Sequence, residues 1–486
     1  MTVMNAGPRN GRHSARAGIA PIILMVLLAA IPAAGFGVLW RWAESRVPAP
    51  TVDETPVTEP ELPSILITPM LSVRRAPQTL ASTASEGVLV NALASVGQFV
   101  DDTSCLVVRA GGRTVYDHGG DTPVTPASNE KLITAAVALD VLGADYTFTT
   151  SLLGTVADGV VTGDLYLRGG GDPVLSTADY PASVAKEAPT NVTALETLVN
   201  NLVAVGVTRI NGSVIGDDSR YDAERFVPSW SAEIQNTEAG PLGALMVNDA
   251  TRQLGTTKRY PDPATGAATD LIRLLKTAGI TVGGSAKTGP TPEGTPGITD
   301  VQSAPLSAIV SEMLTTSDDN TAELLLKELS VHVDNGVGTR LDGVDVVTRT
   351  LVTWGVDTSR MIIVDGSGLD SSNIVTCNIL LQVLERQPLT DPLGAGLPVA
   401  GQTGTLAPFF VGTPVAGRLH AKTGTLTNAK ALTGYVDTPA GVLQFALVLD
   451  TPGIGSGDAY LPIWDALGQT LGAYPSGPAI ETLQPR

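Results

Sequence analysis

Ser128-Asn129-Glu130-Lys131 places a hydroxyl and an amine at a spacing that can do chemistry. Residues three apart on a helical turn share a face, so Ser128 and Lys131 are neighbours there. A serine hydroxyl is a poor nucleophile until a base takes its proton. A lysine serves as that base when burial favours its neutral amine. The start of a helix also stabilises developing negative charge. Pro126 precedes the four residues, and the run from Lys131 to Leu142 is apolar on most faces, which predicts a buried helix. Spacing alone does not select this serine, because Ser183-Val184-Ala185-Lys186 repeats it. Glu187 and Pro189 follow that copy and leave no room for a long buried helix. Ser128 is the candidate nucleophile and Lys131 its candidate base.

A second group, Lys422-Thr423-Gly424-Thr425, shortly precedes the mostly apolar run Ala431–Val436. On an edge strand it offers an ammonium, a hydroxyl, and a residue without a side chain where substrate must approach the backbone. These features suit a substrate carboxylate. Ala286-Lys287-Thr288-Gly289 repeats the letters, but Pro290 follows and no long strand comes after, so we read it as a surface turn. A third group is the polar break Ser317-Asp318-Asp319-Asn320 between two helical stretches, Leu306–Leu314 and Thr321–Leu329. It presents a hydroxyl, carboxylates and an amide; by itself it reads equally well as a helix-capping turn.

The elements that must position these groups follow from pattern. Ser104–Val108 reads as a strand, Gly111-Gly112 as a turn and Thr114–Tyr116 as its returning partner. Residues 146 to about 300 carry short β-type runs, Thr147–Leu153, Val160–Leu167, Arg209–Ile215 and Thr281–Val282, with helical stretches at Leu195–Val205 and Thr269–Ala278. After Pro305 come helices, including Ile374–Leu384 and Tyr460–Leu471, and a predicted buried hairpin of Ala431–Val436 and Leu443–Leu449. No 20–50-residue repeat is present.

At the N-terminus, Arg9, Arg12, His13 and Arg16 precede an uncharged run from Ala17 to Trp40. It exceeds the roughly 20 residues that span hydrocarbon, and the basic residues before it predict a cytoplasmic tail. A cleaved signal peptide is the alternative, since Ala30 to Ala34 offers small residues. The Pro-rich segment that follows reads as a stem. The expected organisation is a tail over 1–16, an anchor over 17–40, a stem over 41–75, a main domain over 76–145 and 300–486, and an inserted region over 146–299.

Composition narrows the partners. Of 486 residues, 43% are hydrophobic and 16% charged, which supports a globular core. The net charge of −18 and the absence of a large Lys/Arg cluster exclude a nucleic-acid binder. The four histidines show no ligand spacing, so no metal site is expected. Cys105 and Cys377 are compatible with one disulfide or with two buried thiols. No GxSxG elbow surrounds a candidate serine, which argues against a Ser-His-Asp hydrolase.

Together the three groups resemble the low-molecular-mass class C penicillin-binding proteins, the D-alanyl-D-alanine carboxypeptidase/endopeptidase family. The resemblance covers about residue 80 to 475. It extends to Tyr166–Pro173, Asp365-Gly366-Ser367-Gly368-Leu369, Leu397–Gly401, Gly404-Thr405-Leu406 and Thr413–Arg418. The long insertion between Ser128 and Ser317 is typical of that class. The resemblance implies an α/β (α+β) transpeptidase-like domain, an antiparallel sheet flanked by helices, with an inserted α+β region; the N-terminal run adds one preceding transmembrane helix. It implies a serine acyl-enzyme acting on peptidoglycan stem peptides outside the cytoplasm, acylated by β-lactams, with no cofactor. Ser128, Lys131 and Ser317 become catalytic; Asp319, Asn320, Lys422, Thr423, Gly424 and Thr425 face substrate. One position departs from the pattern. The loop motif is SxN, and its third residue here is Asp319, with Asn320 next in line to supply the amide. The same residues fit a β-lactamase-like esterase or amidase, and Asp319 also fits a weakened, peptidoglycan-binding scaffold protein.

Overall fold

A computed structural model describes residues 41–42, 76–184, 188–478 and 483. The expected anchor over 17–40 and most of the expected stem lie outside the described residues. Among the described residues no helix is long and apolar enough to cross a membrane.

The main domain is a five-stranded antiparallel sheet between two layers of helix. Helix α1 (Ala76–Gly97) leads into strands β1 (Cys105–Ala110) and β2 (Arg113–His118). Their turn, Gly111-Gly112, has positive φ at both residues, as a tight hairpin requires. Helix α2 (Glu130–Val141) follows. After the insertion come α3 (Leu306–Thr316), α4 (Asp319–Asp334), α5 (Arg340–Thr353) and α6 (Cys377–Glu385). Strands β3 (Leu419–Leu426), β4 (Ala429–Thr438) and β5 (Gly441–Asp450) and helix α7 (Leu461–Gly472) complete it. The sheet order is β3-β4-β5-β1-β2, which leaves β3 at an edge.

Period-two alternation sorts the strands between two cores. Cys105, Val107, Ala446 and Val448 pack with α2, α3, α4 and α6. Leu106, Val108, Phe445 and Leu447 pack with α1 and α7 around Trp464. Helix α2 is buried from Glu130 through Leu139. That fits its apolar faces all round: it lies inside the domain, so it has no solvent side to mark with polar residues. Cys105 and Cys377 form a disulfide joining β1 to α6.

The insertion has a core of its own. Its larger sheet runs Ala286–Thr288, Val214–Asp217, Leu165–Arg168, Thr149–Leu153, Gly297–Gln302. Two runs expected as single strands are each divided. Val160–Val161 and Leu165–Arg168 belong to different sheets, as do Arg209–Ile210 and Val214–Asp217. The chain crosses between sheets at Gly163 and Gly212, and a Cβ on Gly212 would lie 2.7 Å from the Gly163 backbone. The helix expected from Thr269 begins at Pro263, capped by the Asp262 carboxylate on the Ala264 N–H. The expected surface turn at Lys287-Thr288 is a short edge strand parallel to Val214–Gly216, with both side chains exposed.

The disulfide closes a separation of 272 residues in an otherwise two-layered core. Replacing both cysteines by Ala should lower unfolding free energy by about 2–5 kcal/mol. Chemical denaturation of the ectodomain, with and without the substitutions, measures it; an unchanged midpoint would refute the contribution.

Candidate active site

The Ser128 turn is built first. Residues Ala127–Asn129 form one 3-10 turn that runs directly into α2. Ala127 has φ of 48° and no solvent exposure, an uncommon conformation for a residue with a Cβ. Two glycines allow neighbouring backbone to close on this turn. A Cβ on Gly368 would lie 1.9 Å from the Ala127 carbonyl, and one on Gly424 would lie 2.8 Å from the Pro126 carbonyl. The second finding revises the expected role of Gly424. It is the serine turn that comes close to β3 there, so the missing side chain joins two parts of the protein.

Lys131 is fully buried and its ammonium meets three acceptors: Ser128 Oγ at 3.1 Å, Asp319 Oδ1 at 2.6 Å and the Ser367 carbonyl at 2.6 Å. The Ser367 carbonyl is itself held. Glu323 of α4 accepts the N–H groups of Gly366 and Ser367, and Thr134 of α2 donates to the Gly366 carbonyl. Asp365 accepts from Gly368 N, Asp370 N, Trp230 Nε1 and Asn373 Nδ2. The 365–370 segment is thus a rigid platform beneath the lysine. Burial, then the charges of Asp365 and Glu323, push the Glu130 carboxyl well above the usual carboxylate range. Neither of its oxygens has a protein hydrogen-bond partner, which fits a neutral acid.

Lys422 comes from edge strand β3 and is also fully buried. Its ammonium donates to Ser317 Oγ at 2.8 Å and to the Thr423 carbonyl at 3.0 Å. Burial, then the nearby charge of Lys131, push it well below the usual lysine range, while Asp319 acts the other way. Ser317 ends α3 in the left-handed conformation, φ 64°, which turns its hydroxyl to Lys422. Because that oxygen accepts from Lys422, its own proton is free to donate onward. Thr423 Oγ1 bonds Thr405 Oγ1 at 2.8 Å, and Thr425 Oγ1 accepts from Lys430 Nζ at 2.9 Å.

Seven of the nine expected residues therefore gather at one place, with Gly424 behind them. Asn320 does not join them. Its side chain accepts from Gly240 N at 2.7 Å and donates to Asp249 Oδ1 at 3.1 Å, both in the insertion. Its amide holds the insertion to α4 and is not offered to substrate. Asp318 caps α4 by accepting from Thr321 N, and burial with the charge of Asp249 pushes its carboxyl up to about 7. Ser183 donates to the Tyr180 carbonyl within a short 3-10 turn of the insertion. Ser367, Glu323 and Thr405 were not singled out as site residues; only the Asp365–Leu369 and Gly404–Leu406 resemblances pointed near them.

The Lys131–Asp319 ion pair bears on reactivity. It sets a negative charge beside the Ser128–Lys131 pair, where an arriving substrate carboxylate and a growing oxyanion would meet it. Ionised Asp is acceptor-only, whereas Asn also donates. Asp319→Asn should therefore accelerate acylation by penicillin, by about three- to tenfold if the lost stabilisation is about 1 kcal/mol. Stopped-flow acylation measures it; an unchanged or slower rate in a folded variant would overturn this reading.

Known proteins match along this same stretch. The profile of the D-Ala-D-Ala carboxypeptidase 3 (S13) family matches residues 91–260 and 249–460. A D-alanyl-D-alanine carboxypeptidase of Actinomadura sp. (strain R39) is 30% identical over 452 residues, covering 76% of this chain and 80% of that protein. Carboxypeptidase DacB of Mycolicibacterium smegmatis is 32% identical over 358 residues, covering 70% and 75%. The crystal structure of penicillin binding protein 4 from Haemophilus influenzae superposes with a TM-score of 0.65 at 20% identity, covering 78% of this chain and 98% of that one. The fold is accordingly the penicillin-binding, β-lactamase-like α/β fold. Since the family profile spans both the Ser128 turn and the Lys422 strand, the chain belongs to the D-Ala-D-Ala carboxypeptidase 3 (S13) family of peptidases.

Proposed function

We propose that this chain removes D-alanine from D-alanyl-D-alanine stem peptides of peptidoglycan through an ester on Ser128. The observation that carries this is the Ser128–Lys131 contact of 3.1 Å inside a fully buried lysine environment, opposite Lys422 and Ser317. Lys131, as its free amine, takes the Ser128 proton while Oγ attacks the carbonyl of the penultimate D-Ala. The backbone N–H groups of Ser128 and Thr425 stabilise the oxyanion, and the close approach at Gly424 brings those two residues together. Ser317 passes a proton to the leaving nitrogen, with Lys422 fixing its oxygen. Lys422 and Thr423 hold the terminal carboxylate. Water then hydrolyses the ester. β-Lactams, which mimic the acyl donor, acylate the same serine.

Incubating the soluble ectodomain with a penicillin should add one penicillin mass, and peptide mapping should locate it on Ser128. A label on Ser183 would end this reading. Lys422→Ala should slow acylation about a hundredfold or more, given what one lost electrostatic contact costs elsewhere. Lys287→Ala, on an exposed edge strand of the insertion, should not slow it. Release of D-Ala from a stem-peptide mimic separates this function from a β-lactamase-like esterase or a non-catalytic scaffold.

The proposed setting is the outer side of the cell membrane, with 17–40 as a retained anchor. The basic residues before that run and the Cys105–Cys377 disulfide support it, since disulfides persist in oxidising compartments. Fractionation should find full-length protein in the membrane with residues 80–486 open to external protease. A mature N-terminus near Ala34 would refute retention.

A further inference from the structure

We propose that the insertion carries a second binding site, an oxyanion pocket that holds a carboxylate of another stem peptide on the same peptidoglycan strand. The pocket shares no residue with the Ser128 site, and its ligand is bound without being cleaved. The inference rests on the stem-peptide reading above, which supplies a substrate whose carboxylates recur along one chain.

The pocket is a cavity of about 700 Å³, of the size that holds a small ligand. The insertion gives it Ser151, Arg168, Ser219 and Arg220, and the end of α4 gives it His332. No Asp or Glu lines it. That runs against the balance of the chain, which has 48 acidic and 30 basic residues. A cavity lined by one sign of charge focuses its field on the ligand, so this one favours an anion. The two arginines differ. Arg220 donates through Nε and Nη2 to the buried Glu328, which fixes its guanidinium and matches its charge. Arg168 is exposed and belongs to none of the ion pairs among the described residues. It therefore supplies the net charge, and its planar fork suits the two oxygens of a carboxylate. Ser151 and Ser219 add hydroxyls for the remaining lone pairs.

The floor of the pocket is fixed in advance. A Cβ on Gly169 would lie 2.2 Å from the Ala244 carbonyl, and one on Gly170 would lie 2.1 Å from the Thr149 carbonyl. Without side chains there, the chain after Arg168 closes on its neighbours, and binding need not order it. This gives the Tyr166–Pro173 segment a use that the chemistry at Ser128 does not. Asp319 meets Lys131 at the first turn of α4, and His332 lies in its last turn, so the two sites stand about 20 Å apart along the helix. A strand held at Arg168 by one stem keeps its other stems near Ser128 and raises their effective concentration there. A free stem peptide has no such tether. Phosphate offers the same oxyanion chemistry; the carboxylate is assigned because the proposed substrate carries it.

The test uses the full-length protein in detergent. Penicillin first closes Ser128, and calorimetry then follows titration with the stem tripeptide L-Ala-γ-D-Glu-L-Lys, which lacks the D-alanines. Binding should persist in the acylated protein and weaken about tenfold or more in Arg168→Gln, the loss expected for a hydrogen-bonded charge. Inorganic phosphate is titrated in parallel. Tighter binding of phosphate than of the tripeptide overturns the stem-peptide assignment, and binding of neither overturns the pocket. A second arm compares D-Ala release from uncrosslinked glycan strands bearing many pentapeptide stems with release from one free pentapeptide. Arg168→Gln should lower kcat/KM about tenfold on the strands and leave the free peptide unchanged. Loss of folding would lower both. Equal loss on the two substrates, or loss on neither, overturns the tethering role and leaves the peptidase reading intact. No release from either substrate, with no penicillin adduct, overturns the peptidase reading itself.

Discussion

Two ammonium groups without solvent contact, on Lys131 and Lys422, set the terms for the rest of the structure. A buried charge left unpaired costs several kcal/mol, so each must be ringed by acceptors. No single element supplies them. Lys131 draws on the serine turn, the start of α4 and the 365–370 platform; Lys422 draws on the end of α3 and its own strand. Four separate stretches of chain must therefore meet within hydrogen-bond reach. Gly368 and Gly424 make the meeting possible, because a Cβ at either would strike the backbone of the serine turn. The candidate site and the packing solution for the two lysines are the same set of contacts.

Helix α4 transmits that constraint to the insertion. Its first turn gives Asp319 to Lys131 and Asn320 to Gly240 and Asp249. Its middle buries Glu328, which accepts from Tyr146, Tyr221 and Arg220, all three in the insertion. Lys327 reaches back to Asp222. One helix thus holds the lysine's counter-charge at one end and fastens the insertion along its length. The insertion in turn supplies the walls beside Thr405. A shift of α4 would move both at once, which is why residues remote from the serine are structurally coupled to it.

Much of this was legible in the sequence. Mostly apolar runs marked β1, β4 and β5, because each faces two apolar layers. The all-round apolar pattern after Lys131 correctly gave a buried helix. The two copies lie apart from the gathered residues: Ser183 in a short turn and Lys287 on an exposed edge strand. What was not legible has physical causes. Strand breaks at Gly163 and Gly212 depend on a sheet-to-sheet crossing that no local pattern encodes. The Ser367 acceptor is a backbone carbonyl, so its residue type carries no trace of the role. Gly424 was legible as a close approach, but not as to what approaches. Asn320 looked available for substrate because its partners, Gly240 and Asp249, lie 80 and 71 residues away.

Asp319 is where the demands of packing and of chemistry part. With an amide at this position the resting site would hold two buried cations and no nearby anion from the loop. With Asp319 the Lys131 charge is matched at 2.6 Å, and the repulsion between the two lysines is partly offset. That favours the folded, empty site. The same carboxylate opposes an arriving substrate carboxylate and any growing oxyanion. A group that stabilises the resting charge balance thus raises the barrier to the step that disturbs it, the usual trade between stability and activity. The effect is graded, because Asp319 retains 13% side-chain exposure and water reaches its outer side. Its position at the first turn of α4 adds a second stabilisation, since the helix N-terminus favours negative charge there. Asp319 therefore balances the charge of the empty site while opposing the negative charge that acylation would build there.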